Sequence, residues 1–180
     1  MMEILTGSLS VSATTLALIE PFSKKMRTVL IFKFLVNGLV GINYLISKSL
    51  SGALICAAAI LCLGVNYFFT SKDKEIPRWV VVFHSVVFLA VNLLTFAHWY
   101  DVLALIASLF FVLCIVQKST KFYRLIYIGN ALIWIPYDML AKSYGNLFTH
   151  VVLAIAILIS IFVRDGKKAR KTIDKFVLIA

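Results

Sequence analysis

Apolar residues run through this chain in seven blocks of about 20 residues, each separated from the next by a short polar or basic segment. Apolar and polar positions do not alternate within the blocks, so helices are expected rather than strands. Lipid offers the backbone no hydrogen-bond partner, and blocks of this length and pattern satisfy it as helices, not as a closed barrel. The predicted spans are 4–22, 27–47, 50–70, 78–97, 100–117, 121–142 and 144–163. The first is the least apolar: Ser8, Ser10, Ser12, Thr14 and Thr15 suit close helix packing or a polar cavity wall. The expected fold is all-α, a polytopic membrane protein with seven transmembrane helices.

A second pattern lies over the first. Displacing the chain by 93 residues pairs Asn37 with Asn130, Tyr44 with Tyr137 and Gly52 with Gly145, along with Leu39 and Leu132, Ile42 and Ile135. Shared aliphatic residues mean little in so apolar a chain, whereas the Asn, Tyr and Gly matches are informative. Spans 1–3 would then correspond to spans 5–7, with span 4 as connector. Three helices plus one connector return the second unit in the same orientation, giving two parallel triple-helix repeats with a site between them at mid-membrane. The expected units are 1–72, a connector at 73–98, 99–163, and a basic tail at 164–180.

Composition agrees: 62% of residues are hydrophobic and 14% charged, with mean hydropathy +0.98, where a soluble domain is about half apolar and a quarter charged. The net charge of +10 invites a nucleic-acid reading, but no aromatic-basic platform for bases is present, so no nucleic-acid partner is expected. The basic residues instead mark one side of a membrane. Lys24, Lys25, Arg27, Lys72, Lys74, Arg78, Lys118, Lys121 and Arg124 follow spans 1, 3 and 5, six more lie in the tail, and Lys33 sits near the start of span 2. Only Lys48 and Lys142 fall on the other side. The positive-inside rule therefore places the N-terminus outside and the C-terminus in the cytoplasm, as an odd number of spans requires. Glu3, with no Lys or Arg before the first apolar run, is the reverse of a signal peptide's basic leader. Trp79, Trp99 and Tyr100 fall at interface positions. In the tail, Ile173, Phe176, Val177 and Ala180 form one apolar face of a helix, which either lies on an anionic leaflet or is simply solvated. Cys56, Cys62 and Cys114 all lie within spans and read as free thiols packed like small hydrophobes.

The chemistry-bearing residues concentrate in Asn130–Gly145, which carries Trp134, Pro136, Tyr137 and Asp138 inside a span. Polar residues at membrane depth are costly and face the bundle interior. Asn37, Asn130 and Trp134 form the expected mid-membrane set, with Tyr137 beside them and Asn66 and Asn92 off-centre on spans 3 and 4. Either these amides hold a small polar solute, or they tie helices together at about 1 kcal/mol each. Pro136 removes a backbone donor and frees the carbonyl of Leu132, as a hinge or as a plain bend. Asp138 either pairs with Lys142 one turn on, or forms a proton or cation site with His150. His84 and His98 lie roughly 21 Å apart at about 1.5 Å per residue, so the three histidines cannot share one ion. His98, Asp101, Asp138 and His150 keep a metal-hydrolase alternative open, although no HExxH or Gly-x-Ser-x-Gly motif is present. No cofactor and no metal are expected.

The 3+1+3 plan resembles the superfamily of sugar transporters, PQ-loop proteins, nicotinamide-riboside transporters and the KDEL receptor. Trp134-Ile135-Pro136-Tyr137-Asp138, followed by Lys142-Ser143-Tyr144-Gly145, is similar to a pattern of the YgjV-type bacterial inner-membrane proteins. The resemblance implies an inner-membrane location and a fold rather than a reaction. The Pro-Gln dipeptide is absent, the lone Gln being Gln117, and mid-span hinge prolines are missing from spans 1 and 5. The expected function is transport of a small polar solute (a sugar, nucleoside or vitamin-like molecule), by a protein whose other partners are membrane lipids. The alternatives are a non-transporting membrane protein whose tail docks a partner or lipid, and the outward-facing metal hydrolase. Two triple-helix units in one chain suffice to enclose a pathway, and the sequence leaves the oligomeric state open.

Overall fold

Each predicted span contains one helix in the computed structural model, which describes residues 2–46, 50–141 and 143–165. The helices are α1 (Met2–Ile19), α2 (Met26–Ile46), α3 (Leu50–Ser71), α4 (Arg78–Leu94), α5 (Asp101–Ile115), α6 (Thr120–Leu140) and α7 (Tyr144–Ser160). A 3₁₀ turn, Glu20–Phe22, ends α1, and a π-helical turn, Ile161–Asp165, ends α7. No strand occurs among the described residues. The 164–180 tail, apart from its first two residues, lies outside the described residues.

Three of these helical stretches are long and apolar enough to cross a membrane: Met26–Ile46, Gly52–Ser71 and Tyr144–Arg164, with mean hydropathies of 1.9, 2.0 and 2.4. The helices α4 and α5 are apolar but have only 17 and 15 residues. The exterior is strongly apolar, and several charged and polar groups are buried beside the apolar core. Leu35, Ile42, Leu61, Phe68, Leu94, Leu132 and Phe162 point outward, while Glu20, Lys33, His84, Arg124, Asn130 and Asp138 are buried. Charged groups hidden behind an apolar exterior are what lipid surroundings demand.

Consecutive helices pack in sequence, and α1 closes back on α7. Two apolar clusters flank α2. One joins Ala17, Met26, Val29, Cys114, Tyr123, Tyr127, Leu153 and Ile157, and the other Leu30, Ala58, Ala59, Cys62, Leu63, Phe88, Val112 and Ile115. Cys56, Cys62 and Cys114 are free and buried. The loops following α1, α3 and α5 meet at one end of the bundle, where Lys24, Lys25, Arg27, Lys74 and Lys118 surround a cavity of about 560 Å³. This is the basic end of the bundle, and the opposite one is the far end.

Local signals set the helix ends. Pro21 lies in the 3₁₀ turn after α1, and Pro77 caps α4 in extended backbone. Asp73, in the left-handed region at φ 53°, stops α3. The N–H groups of Lys74 and Asp73 then reach back to the carbonyls of Phe69 and Thr70, at 3.0 and 3.3 Å. Arg27 clamps this turn, with Nε on the Thr70 carbonyl at 3.0 Å and its guanidinium 2.8 Å from Asp73.

Of the glycines paired by the 93-residue offset, only Gly52 is tightly packed. A Cβ there would lie 2.6 Å from the Tyr44 ring, whereas one at Gly145 would meet nothing within 4 Å. The missing side chain at Gly52 lets Tyr44 lie against α3 and reach Asn146 on α7. Gly52→Ala is therefore expected to destabilise the fold by about 1–3 kcal/mol through overpacking. Heat denaturation in detergent, compared with Gly145→Ala as a near-neutral control, checks it.

Candidate functional site

Polar side chains line the seam where α1 and α2 meet α6 and α7. At its basic end the Tyr123 hydroxyl donates to Glu20 Oε1, and Lys33 Nζ lies 3.1 Å from Glu20 Oε2. Lys33 also donates to the Tyr127 hydroxyl and sits 3.5 Å from that ring's centroid. The Pro21 carbonyl, freed as the 3₁₀ turn ends, accepts from Arg124 Nη1 at 3.2 Å and Ser160 Oγ at 2.6 Å. None of these side-chain bearers is more than 5% exposed. One carboxylate thus joins α1, α2 and α6, and the adjacent carbonyl joins α6 and α7.

One turn beyond Lys33, Asn37 is half-buried and donates to its own helix, at the Lys33 carbonyl, 2.8 Å away. One turn beyond Tyr127, Asn130 is buried and donates to the Ala107 carbonyl of α5 at 2.6 Å. The two asparagines therefore stand at similar heights above the Lys33–Tyr127 contact, with their amides on different partners. Farther along, Thr14 bonds Thr149 at 3.1 Å, Asn43 donates to Ser10 at 2.8 Å, and Asn146 donates to the Tyr44 hydroxyl. These groups are half-buried or exposed. The seam is closed at the basic end and more accessible toward the far end.

At the far end the structure brings Trp134, Tyr137, Asp138 and His150 together. His150 Nδ1 lies 2.6 Å from Asp138 Oδ2, and Trp134 stacks on the imidazole with centroids 5.6 Å apart and planes within 5°. Tyr137 meets Trp134 edge-on at 5.2 Å and Tyr100 at 5.9 Å. Pro136 lies within α6, which continues to Leu140. Asp138 is 2% exposed, and the His150 side chain 23%. An imidazole paired to a buried carboxylate can hold or pass a proton. Lys142, the other expected partner of Asp138, lies outside the described residues.

Two expected residues lie away from the seam. Asn66 donates to the Ile115 carbonyl at 3.2 Å, between α3 and α5. Asn92 donates to Phe88 at 2.8 Å and to Ser108 at 3.1 Å, between α4 and α5. His84 is fully buried on α4, and His98 stacks on Tyr100. Among the described residues no three His, Cys, Asp or Glu side chains converge as a metal site would need.

Sequence reading passed over Glu20 and took Lys33 for one more basic residue near a span end. The available signal was an acidic and a basic residue inside adjacent spans, since a charge at that depth needs a partner. The surface charges at the basic end are ordinary by comparison. Lys118 lies 2.7 Å from Glu75, and this hydrogen bond, then its charge, lowers the Glu75 carboxyl below its usual pKa.

A family model described as bacterial inner membrane protein, Imp-YgjV, matches residues 67–168, a stretch holding α4 to α7 and the Trp134–His150 group. No curated protein and no solved structure matches the chain.

Proposed function

The chain belongs to the Imp-YgjV family of bacterial inner membrane proteins, and on that premise we propose that it carries a small polar solute along the seam between its first and last helices. The observation that carries this reading is the convergence of polar groups from α1, α2, α6 and α7 in a bundle whose exterior is apolar. Polar side chains at such depth are retained for a ligand or a pathway by default. Asn37, Asn130, Trp134 and Tyr137 are the proposed solute contacts, with Asn43 and Asn146 added from the seam. Pro136, Asp138 and His150 are the proposed gating and proton-handling group.

In this reading all seven helices cross the membrane. The helices α1–α3 and α5–α7 are the two parallel repeats, and α4 connects them. Of the charges in α6, Arg124 and Asp138 are buried inside the bundle and do not meet lipid, and Lys121 is exposed in the first turn at the basic end. The basic end faces the cytoplasm and the far end lies outside, by the positive-inside rule. An apolar groove of about 240 Å³ between α1 and α7, lined by Leu18, Phe22, Val152, Ile155, Ala156 and Ile159, suits a lipid acyl chain.

The amides of Asn66 and Asn130, both spent on backbone carbonyls of α5, favour a second reading, a non-transporting protein with interhelical ties. Uptake separates the two. Metabolites that co-purify with the protein are identified by mass spectrometry and offered, with sugars and nucleosides, to proteoliposomes. Transport predicts saturable uptake that falls about tenfold or more in Asn37→Leu and Asn130→Leu, a loss of one good hydrogen bond to the solute or more. Folded protein that takes up no solute, or uptake unchanged in both variants, would sink the proposed pathway.

A further inference from the structure

We infer that Glu20 is a proton-binding site that latches α1, α2 and α6 together at the basic end and releases them when it takes up a proton. The inference deepens the transport reading by naming the ion bound at the closed end of the seam. Its role in transport rests on that reading, while the proton site stands on geometry alone.

Glu20 is 0% exposed. Its Oε1 accepts the Tyr123 hydroxyl, whereas Oε2 faces the Lys33 ammonium at 3.1 Å and meets no neutral donor among the described residues. A buried oxygen whose partner is an ammonium, with no neutral donor on it, is where an arriving proton would go. The groups around the carboxylate are Lys33 from α2, Tyr123, Tyr127 and Arg124 from α6, and Cys114 from α5. Ser160 of α7 and Arg124 both reach the carbonyl of the next residue, Pro21. Among these described groups, Glu20 is the acidic side chain.

A proton from water adds to Oε2, a neutral carboxylic acid forms, and Lys33 keeps its charge. Lys33 then sits in apolar surroundings without a counterion, a state far costlier than the pair. Its four-carbon stem lets the ammonium swing out toward the nearby basic end. The Lys33–Tyr127 hydrogen bond breaks with it, and with that bond goes the polar tie between α2 and α6. Protonation thereby loosens the closed end of the seam, and deprotonation reseals it.

The test uses the full chain in nanodiscs and reads no transport. Infrared difference spectra are recorded as pH falls from about 8 to about 5, alongside hydrogen exchange of residues 26–36 and 120–130, corrected for its intrinsic pH dependence. The expected result is a protonated-carboxyl band in the wild type that is missing in Glu20→Gln. Exchange in both segments should rise about tenfold over the same range. Glu20→Gln should exchange fast at every pH. The double variant Glu20→Gln/Lys33→Met, with neither charge, should exchange slowly at every pH, which separates latch opening from misfolding. A wild-type band that persists in Glu20→Gln, or exchange that rises equally with acid in the double variant, overturns the inference. Either result leaves the uptake prediction untouched, and failed uptake with a positive titration overturns transport alone.

Discussion

Lys33→Met is expected to cost about 3–5 kcal/mol, because it strands a fully buried carboxylate. In the wild type the Lys33 and Glu20 side chains are 4% and 0% exposed and lie 3.1 Å apart. Neither is screened by water, so the discount that applies to surface pairs does not apply here. Methionine fills nearly the same volume as the lysine stem, so packing changes little and the lost charge dominates. Arg27→Met, by contrast, removes the exposed pair with Asp73 and the bond to the Thr70 carbonyl, and should cost about 1–2 kcal/mol.

The double variant Glu20→Gln/Lys33→Met decides whether the cost of the single change is electrostatic. Removing both charges should restore most of the stability, since a buried pair gains little over a well-packed neutral one. A double-mutant cycle on unfolding in mixed micelles measures the coupling directly. Additive losses would show that Lys33 acts through packing and that no ion pair couples it to Glu20.

His150→Leu is the second large effect. It removes the partner 2.6 Å from Asp138 Oδ2 and the ring stacked on Trp134. A hydrogen bond to a buried charged group contributes about 1.5–3 kcal/mol, and an aromatic stack about 0.5–1.5 kcal/mol. The expected loss is about 3 kcal/mol. His150→Asn places an amide donor near the former Nδ1 but lacks the ring. It should recover about half of the loss if the hydrogen bond carries more than the stack. Equal losses in the two variants would assign the effect to stacking. Tryptophan fluorescence reports the same change from the Trp134 side.

Much of this architecture was legible in the residues. The seven helices fall where the apolar blocks predict, because an apolar stretch kept from water satisfies its backbone by hydrogen bonds within a helix. The membrane setting followed from composition, and the family resemblance from the Trp134–Gly145 stretch agrees with the match over residues 67–168. The local stops were partly legible too. Pro77 marks the start of α4, but the left-handed turn at Asp73 carries no glycine to announce it.

The site was less legible. The sequence separated mid-membrane Asn37 and Asn130 from off-centre Asn66 and Asn92 but gave none of them a partner, and the structure supplies them: Asn37 its own helix, Asn130 and Asn66 carbonyls of α5, Asn92 a serine. Hydropathy records that an amide is at membrane depth, not which carbonyl lies beside it. Asp138 had two reasonable partners four and twelve residues away. Only the packing of α7 on α6 brings His150 against it.

By itself, then, the sequence determined the elements: where helices form, which surfaces are apolar, and that charged groups lie within the spans. Those properties depend on near neighbours along the chain, whose spacing is fixed by covalent geometry. Tertiary structure alone decided the pairings. Glu20 meets Tyr123, 103 residues away, and Lys33 meets Tyr127, 94 residues away. A buried charge demands some partner, and that demand can be read locally. Which partner answers depends on how α1, α2 and α6 pack.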